Sequence, residues 1–229
     1  MKVIGIGAHP DDIEIYMYGI LSCYLERKDE VYVSVVTNGA AGDLTGKINL
    51  IEKRQKETEI ALANFGKPYM MGFPDGRLYE CNDAQKTIKE YINSIEPDLV
   101  ITHCPEDYHP DHRILSNYVE NAVGFQCPVL FADTLMGVNF KPEFYIDITK
   151  FFENKSQAIL AHESQSPKRF LKAAELLNRF RSAQCNAPDK HYAEAYRINK
   201  RFPYPDIRSL LPSEQKSFPY YRKNSSSFL

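Results

Sequence analysis

Short apolar runs and helix-spaced apolar stripes alternate along this chain from Lys2 to Thr134. Lys2 to Gly7 is an apolar run ended by glycine and predicts a buried strand. Pro10 interrupts any helix there, and Asp11 and Asp12 follow where N-caps belong, because carboxylates favour the positive end of a helix. From Ile13 the apolar residues fall at helical spacing (Ile13, Met17, Ile20, Leu21, Tyr24), and Lys28-Asp29 closes that one helix. Val31 to Thr37 is β-branched and predicts a second strand. Asn38-Gly39-Ala40-Ala41-Gly42-Asp43 is a loop of mostly small residues, suited either to close backbone approach to a ligand or to plain connection. Ile48 to Phe65 predicts a charged helix capped by Gly66, Pro68 to Phe73 a strand, and Pro74-Asp75-Gly76 a turn. Asn82 to Ile95 predicts a helix that Glu96-Pro97 ends. Asp98 to His103 is a fourth strand, leading through Cys104 to Arg113 into a helix that runs to about Val123.

Further strands are expected at Val129 to Thr134, Phe144 to Thr149 and Tyr192 to Ile198, with helices at Lys150 to Ala161 and Pro167 to Cys185. The tail from Arg201 carries Pro203, Pro205, Pro212, Pro219 and Ser225-Ser226-Ser227, and is expected to be irregular and mobile at its end. Alternating strands and helices imply right-handed βαβ units and a parallel sheet, hence an α/β class. No repeat and no interior linker interrupts the chain, so one domain is the simplest organisation.

Composition removes several function classes. A net charge of −2 and a pI near 6.3 give no global pull toward nucleic acid or an acidic membrane. Lys168-Arg169 with Lys172 reads as a solvated helix face. No run of ~18 apolar residues is present to span a bilayer. Met1-Lys2-Val3-Ile4-Gly5 enters a strand at once, so no signal peptide is expected. Five cysteines, odd in number and without a CxxC pair, argue against a cysteine zinc site and fit a reducing cytoplasm.

Two stretches carry chemistry: His9-Pro10-Asp11-Asp12 and His109-Pro110-Asp111-His112. Each lies between a predicted strand and a predicted helix. In an open parallel sheet ligands bind beyond the carboxyl ends of the strands, so both loops open onto one edge. A catalytic zinc takes three His/Asp/Glu ligands and keeps a fourth position for water. His9, Asp12 and one of His109 and His112 supply that set, with His112 preferred because a helix start holds it rigidly. Asp11 is then a candidate general base. His109, oriented and kept protonated by a carboxylate such as Asp111, is a candidate partner for the oxyanion and proton donor to the leaving amine. One His-Pro-Asp alone is as readily a helix cap; two at strand-to-helix junctions, using three of six histidines, are not explained by capping. His103 is expected at the end of a core strand. Gly5-Ile6-Gly7 hints at a dinucleotide fingerprint, but Pro10 stands where its third glycine should be.

At these residues the chain resembles the PIG-L/LmbE-like zinc deacetylase family. The resemblance runs through Ala8-His9-Pro10-Asp11-Asp12 with Glu14, Thr37-Asn38-Gly39, Arg54 with Glu57, Gly72-Phe73-Pro74-Asp75-Gly76 and Pro97-Asp98. It continues in His109-Pro110-Asp111-His112 and Ala161-His162-Glu163-Ser164-Gln165, covering residues 1–200 and leaving 201–229 as an extension. It implies a Rossmann-like α/β fold with a mostly parallel sheet flanked by helices. It also implies removal of an N-acetyl group from an N-acetylglucosamine-containing small molecule or glycoconjugate. By position His9, Asp12 and His112 would bind the metal, Asp11 would be the base and His109 the oxyanion partner. Arg54 and Asp75, with Asn38 beside them, would meet sugar hydroxyls. Zn2+ is the expected ion, although such donors also hold Fe2+ or Co2+. His162 falls near the site without a derivable role. The expected partner is a small amino-sugar substrate, and a homo-oligomer is left open. The rival readings are a sugar- or nucleotide-binding Rossmann-like protein without catalysis, and a scaffold subunit that retains only the fold.

Overall fold

Alternate residues of a strand point to opposite faces of a sheet, and each face here has its own helical cover. In β1 (Lys2–Gly7) Val3 packs on one side and Ile4 and Ile6 on the other; β4 (Leu99–Thr102) and β5 (Val129–Ala132) divide in the same way. One face is covered by α1 (Asp12–Tyr16), α2 (Tyr18–Glu26), α6 (Phe152–Leu160) and α7 (Pro167–Gln184). The other is covered by α4 (Ala84–Ile95) and α5 (Pro110–Val123), through Ile88, Ile92, Leu115 and Val119. The remaining strands are β2 (Glu30–Thr37), β3 (Tyr69–Phe73), β6 (Phe144–Asp147) and β7 (Ala193–Ile198), and the remaining α-helix is α3 (Leu50–Ala61). The computed structural model describes residues 1–42 and 49–219.

The seven strands lie in the order β3-β2-β1-β4-β5-β7-β6. β1 to β5 pair in parallel, and β7 runs antiparallel to both of its neighbours. The expected Rossmann-like, mostly parallel sheet flanked by helices is therefore present. β1 is hydrogen-bonded on one side to β2 and on the other to β4, with Gly5 beside Ile101. Strand order reverses there, and at such a switch point the loops diverge and leave a crevice. The two candidate loops follow those two adjacent strands.

The single helix expected from Ile13 is broken. Met17 has φ −134° and ψ −8°, ending α1 and starting α2. The cause lies 175 residues away: Glu194 accepts the amide hydrogens of Gly19 (2.9 Å) and Ile20 (2.8 Å), capping the N-terminus of α2 from outside. The same carboxylate accepts from the buried Lys155 ammonium (2.7 Å). The Tyr196 hydroxyl sits between Glu194 Oε2 (2.6 Å) and the Tyr16 carbonyl (3.0 Å). Local periodicity could not reveal a cap supplied by a late strand.

Residues 201–219 form no helix or strand beyond isolated bridges, yet they are not detached from the domain. Gln215 donates its amide to Tyr145 (2.8 Å), Glu214 bridges Ile146, and Ile207 is buried in the core. This segment lies along the outer edge of β6 and occupies hydrogen-bonding groups that an edge strand otherwise exposes. Ser225-Ser226-Ser227, Asp43 and Ile48 lie outside the described residues. All five cysteines are free, and among the described residues no helix is long and apolar enough to cross a membrane.

A methyl group added at Gly19 would fall 2.4 Å from Ile148 Cγ2 and 2.9 Å from Glu194 Cδ. Gly19→Ala is expected to lower unfolding free energy by about 1–3 kcal/mol, the cost of overpacking. Urea denaturation measures it, and an unchanged midpoint would show that the helix break tolerates a side chain.

Candidate metal centre

The loop after β1 turns sharply, because Asp11 takes φ 106° and ψ −20°. A left-handed backbone at a non-glycine residue costs on the order of 1–3 kcal/mol and persists only where its surroundings enforce it. Arg54, from α3, enforces it. Its Nη1 donates to the Gly39 carbonyl (3.0 Å), its Nη2 donates to the Pro10 carbonyl, and Nη2 lies 3.2 Å from Asp11 Oδ2. Gly39 permits this approach, since a Cβ there would come within 2.7 Å of the guanidinium. Asp11 occupies the N-cap position of α1 yet makes no side-chain cap bond, so its carboxylate is left facing Arg54.

Asp12 turns into the sheet edge. Its Oδ2 accepts the His9 amide hydrogen (2.7 Å) and lies 3.3 Å from His9 Nδ1 and 3.2 Å from His112 Nε2. His9 Nδ1 and His112 Nε2 are 3.2 Å apart. These three atoms form a nearly equilateral triangle. A tetrahedral zinc with bonds of about 2.0–2.1 Å has ligand atoms about 3.3–3.4 Å apart, so the triangle has the size that the ion requires. The loops after β1 and β4 thus bring together His9, Asp12 and His112.

Each histidine has a carboxylate close behind it, and carboxylates so placed orient metal-binding imidazoles. His112 Nδ1 lies 3.1 Å from Asp107 Oδ2. His9 Nε2 lies 3.1 Å from Asp75 Oδ1 and 3.3 Å from Asp111 Oδ2. Burial works against charge on both imidazoles, but Asp111, Asp12 and Asp75 raise His9 well above its ordinary range. Asp12 and Asp107 likewise lift His112 to about 9. A divalent cation would replace those protons, since ligands must be deprotonated to bind it. Burial alone would raise the Asp12 carboxyl, yet His112 and His103 hold it well below the usual carboxylate range. Burial pushes Asp11 up to about 6, with Arg54 opposing.

The expected support of His109 by the Asp111 carboxylate is not what the fold builds. Asp111 Oδ2 accepts the Gly76 amide (2.8 Å), Oδ1 accepts the Leu78 amide (3.3 Å), and the carboxylate also faces His9. Asp111 touches His109 through its backbone, its N–H donating to His109 Nδ1 (3.2 Å) as the cap of α5. A lone pair on Nδ1 leaves the ring proton on Nε2, so His109 is a neutral donor rather than an imidazolium. Burial, with His9 and His112 nearby, also lowers its pKa. A ring nitrogen of His109 comes within 4.8 Å of those of His9 and His112.

The residues that the resemblance assigns to sugar contact already have protein partners. Arg54 is buried against Asp11, Pro10 and Gly39. Asp75 joins His9 to the Ala41 amide (3.1 Å). The Asn38 backbone N–H donates to the Phe73 carbonyl, and its Oδ1 accepts from the Ala40 amide (3.0 Å), shaping the loop after β2. His162, from the segment after α6, places Nε2 2.7 Å from Glu14 Oε1, and both side chains are buried. Two contributors were missed in the sequence. Asp107 sits two residues before His109 and accepts that residue's amide (2.8 Å), a turn-forming carboxylate just ahead of a helix. His103 was placed in the core, and it is buried there, but its imidazole reaches Asp12. Its position at the carboxyl end of a parallel strand was the available signal.

The α/β sheet brings three donors together at its switch point, a candidate metal site on a Rossmann-like fold. The family model described as PIG-L: GlcNAc-PI de-N-acetylase matches residues 4–123, more than half of the chain, and the chain belongs to that family. The diacetylchitobiose deacetylase of Thermococcus kodakarensis is 27% identical over 188 residues, 72% of this chain and 70% of that protein. The structure of N,N'-diacetylchitobiose deacetylase from Pyrococcus horikoshii matches with a TM-score of 0.74 at 24% identity, covering 86% of this chain and 83% of that one. GalB, the 4-carboxy-2-hydroxymuconate hydratase of Pseudomonas putida KT2440, matches with a TM-score of 0.76 at 16% identity over 90% and 97% of the two chains.

Arg54→Met should leave Asp11 buried without its cation and two carbonyls without their donor. A loss of about 3–5 kcal/mol is expected, as for one-sided removal of a buried ion pair. Urea denaturation of chelator-treated protein measures it; a loss below about 1 kcal/mol, the scale of a surface pair, would mean that Arg54 does not hold the loop.

Proposed function

We propose that this protein is a zinc-dependent deacetylase that hydrolyses the N-acetyl group of an N-acetylglucosamine-containing small molecule or glycoconjugate. The observation that carries this reading is the triangle of His9 Nδ1, Asp12 Oδ2 and His112 Nε2, with the unliganded carboxylate of Asp11 next to it in the chain. Membership of a de-N-acetylase family and likeness to deacetylases of chitobiose-type substrates support the sugar amide as substrate. The fold alone does not choose the reaction, since a hydratase shares it. Fe2+ or Co2+ would fit the same donors.

His9, Asp12 and His112 would hold the ion. When bound, it supplies a Lewis acid that lowers the pKa of water in its open position. Asp11 accepts the proton that water loses as its oxygen attacks the acetyl carbon. His109 donates its Nε2 hydrogen to the carbonyl oxygen as negative charge develops there. A neutral imidazole cannot readily give up that last proton. The proton that the departing nitrogen needs therefore comes from Asp11, which returns the one it took, and the C–N bond breaks to give a free amine and acetate. Arg54 acts through Asp11, keeping the carboxylate in place. Asp75 and Asn38 are our candidates for contact with sugar hydroxyls. Free cysteines suit a reducing compartment, and the cytoplasm is the location we propose.

Asp11→Ala is expected to retain zinc, by elemental analysis, while turnover falls by roughly two to four orders of magnitude. An Asp11→Ala enzyme with full activity would remove the base assignment. His109→Ala should lose roughly 10²–10³-fold in turnover, the scale of one oxyanion donor, again with zinc retained. Amine release from a panel of N-acetylglucosamine conjugates, with and without added Zn2+, tests the activity itself. Protein that binds zinc stoichiometrically yet releases no amine from any conjugate would exclude the proposed substrate class.

A further inference from the structure

His103 stands where β4 passes into the loop that carries His109 and His112. It is fully buried and belongs to none of the roles assigned above. Its Nε2 lies 3.0 Å from Asp12 Oδ2, so the tautomer with the proton on Nε2 donates to that carboxylate; the Ala8 amide nitrogen lies 3.1 Å from the same Nε2, which in this tautomer has no lone pair to accept from it. Its ring lies flat against that of His112, with 3.7 Å between centroids and 11° between planes. Tyr16 meets both rings edge-on, at 5.5 and 6.0 Å. The imidazole therefore touches one candidate ligand by hydrogen bond and another by face contact.

We infer that His103 is a positioning residue for the metal centre, bonding Asp12 and stacking on His112 so that one buried imidazole sets the spacing of two of the three candidate ligands. The inference rests on the metal reading above. A carboxylate can rotate about its Cβ–Cγ bond, and an imidazole can swing about Cα–Cβ. The His9 amide bonds Asp12 from its own loop, and the Asp107 carboxylate lies 3.1 Å from His112 Nδ1 within its own loop. His103 spans the two, bonded to one loop while it leads into the other. Without it, each ligand keeps a local restraint but their separation is no longer held. Loss of an outer partner of this kind weakens metal binding without removing a ligand.

The test is zinc affinity, measured on the full-length, metal-free protein by competition with a chromophoric chelator. His103→Phe keeps a flat ring against His112 and removes the nitrogen that meets Asp12. His103→Gln keeps an amide donor near the position of Nε2 and removes the ring. His103→Phe is expected to bind zinc roughly 10–100-fold more weakly, with the urea midpoint of the metal-free protein close to wild type, and His103→Gln to recover part of the loss. Wild-type zinc affinity in both variants would overturn the inference, as would affinity losses that merely track losses of metal-free stability. If His103→Phe fails to fold, His103→Gln decides: weaker binding than wild type is expected because the stack is gone, and equal binding refutes the positioning role. Wild-type protein that binds no zinc would overturn the metal reading as a whole, a result distinct from unchanged variants of a zinc-binding wild type.

Discussion

A buried carboxylate has to be satisfied by donors, and the Asp12 carboxylate draws the candidate site together by that requirement. One oxygen lies within 3.3 Å of the His9 amide, His9 Nδ1, His103 Nε2 and His112 Nε2. Leaving such a group unpaired costs several kcal/mol, so the loops after β1 and β4 cannot drift apart without penalty. The same geometry that satisfies the anion in the protein alone supplies the donor spacing that a small divalent cation needs. Folding and the proposed metal binding would therefore call for one arrangement.

Around that centre the charges are layered. Asp75, Asp107 and Asp111 sit behind His9 and His112, and each is tied in turn to backbone amides of a third loop or of its own turn. Asp11 is treated differently. It is paired with Arg54, a side chain that also clamps the Pro10 and Gly39 carbonyls, and its backbone is held left-handed. That separates two adjacent carboxylates by surroundings: Asp12 faces His9, His103 and His112, and Asp11 faces Arg54. Backbone strain of this kind is kept where the surroundings over-determine it.

A second buried hub lies behind the first. Glu194 on β7 receives four donors from Gly19, Ile20, Lys155 and Tyr196, and in doing so breaks the helix that follows the loop after β1. The break leaves α1 as a short, wholly buried turn carrying Asp12, Glu14 and Tyr16. Glu14 then meets His162, and Tyr16 meets His103 and His112. The antiparallel strand late in the chain thus reaches the candidate site through the orientation of this turn.

The chain by itself determined the alternation of strands and helices, the α/β class and the two loops that hold the candidate donors. Those features are written in short-range periodicity and in residue types that no helix cap requires twice. Strand boundaries came out within one or two residues because apolar runs and β-branching are local signals. Only the tertiary structure decided which strands are neighbours. It brought β1 against β4, turned the Asp111 carboxylate toward His9 rather than His109, and recruited His103 and Asp107. It also split the first helix with a carboxylate 175 residues distant from Gly19. The reason is physical: the direction of a buried polar side chain is set by whichever donors lie across from it, and those donors come from parts of the chain that share no sequence neighbourhood.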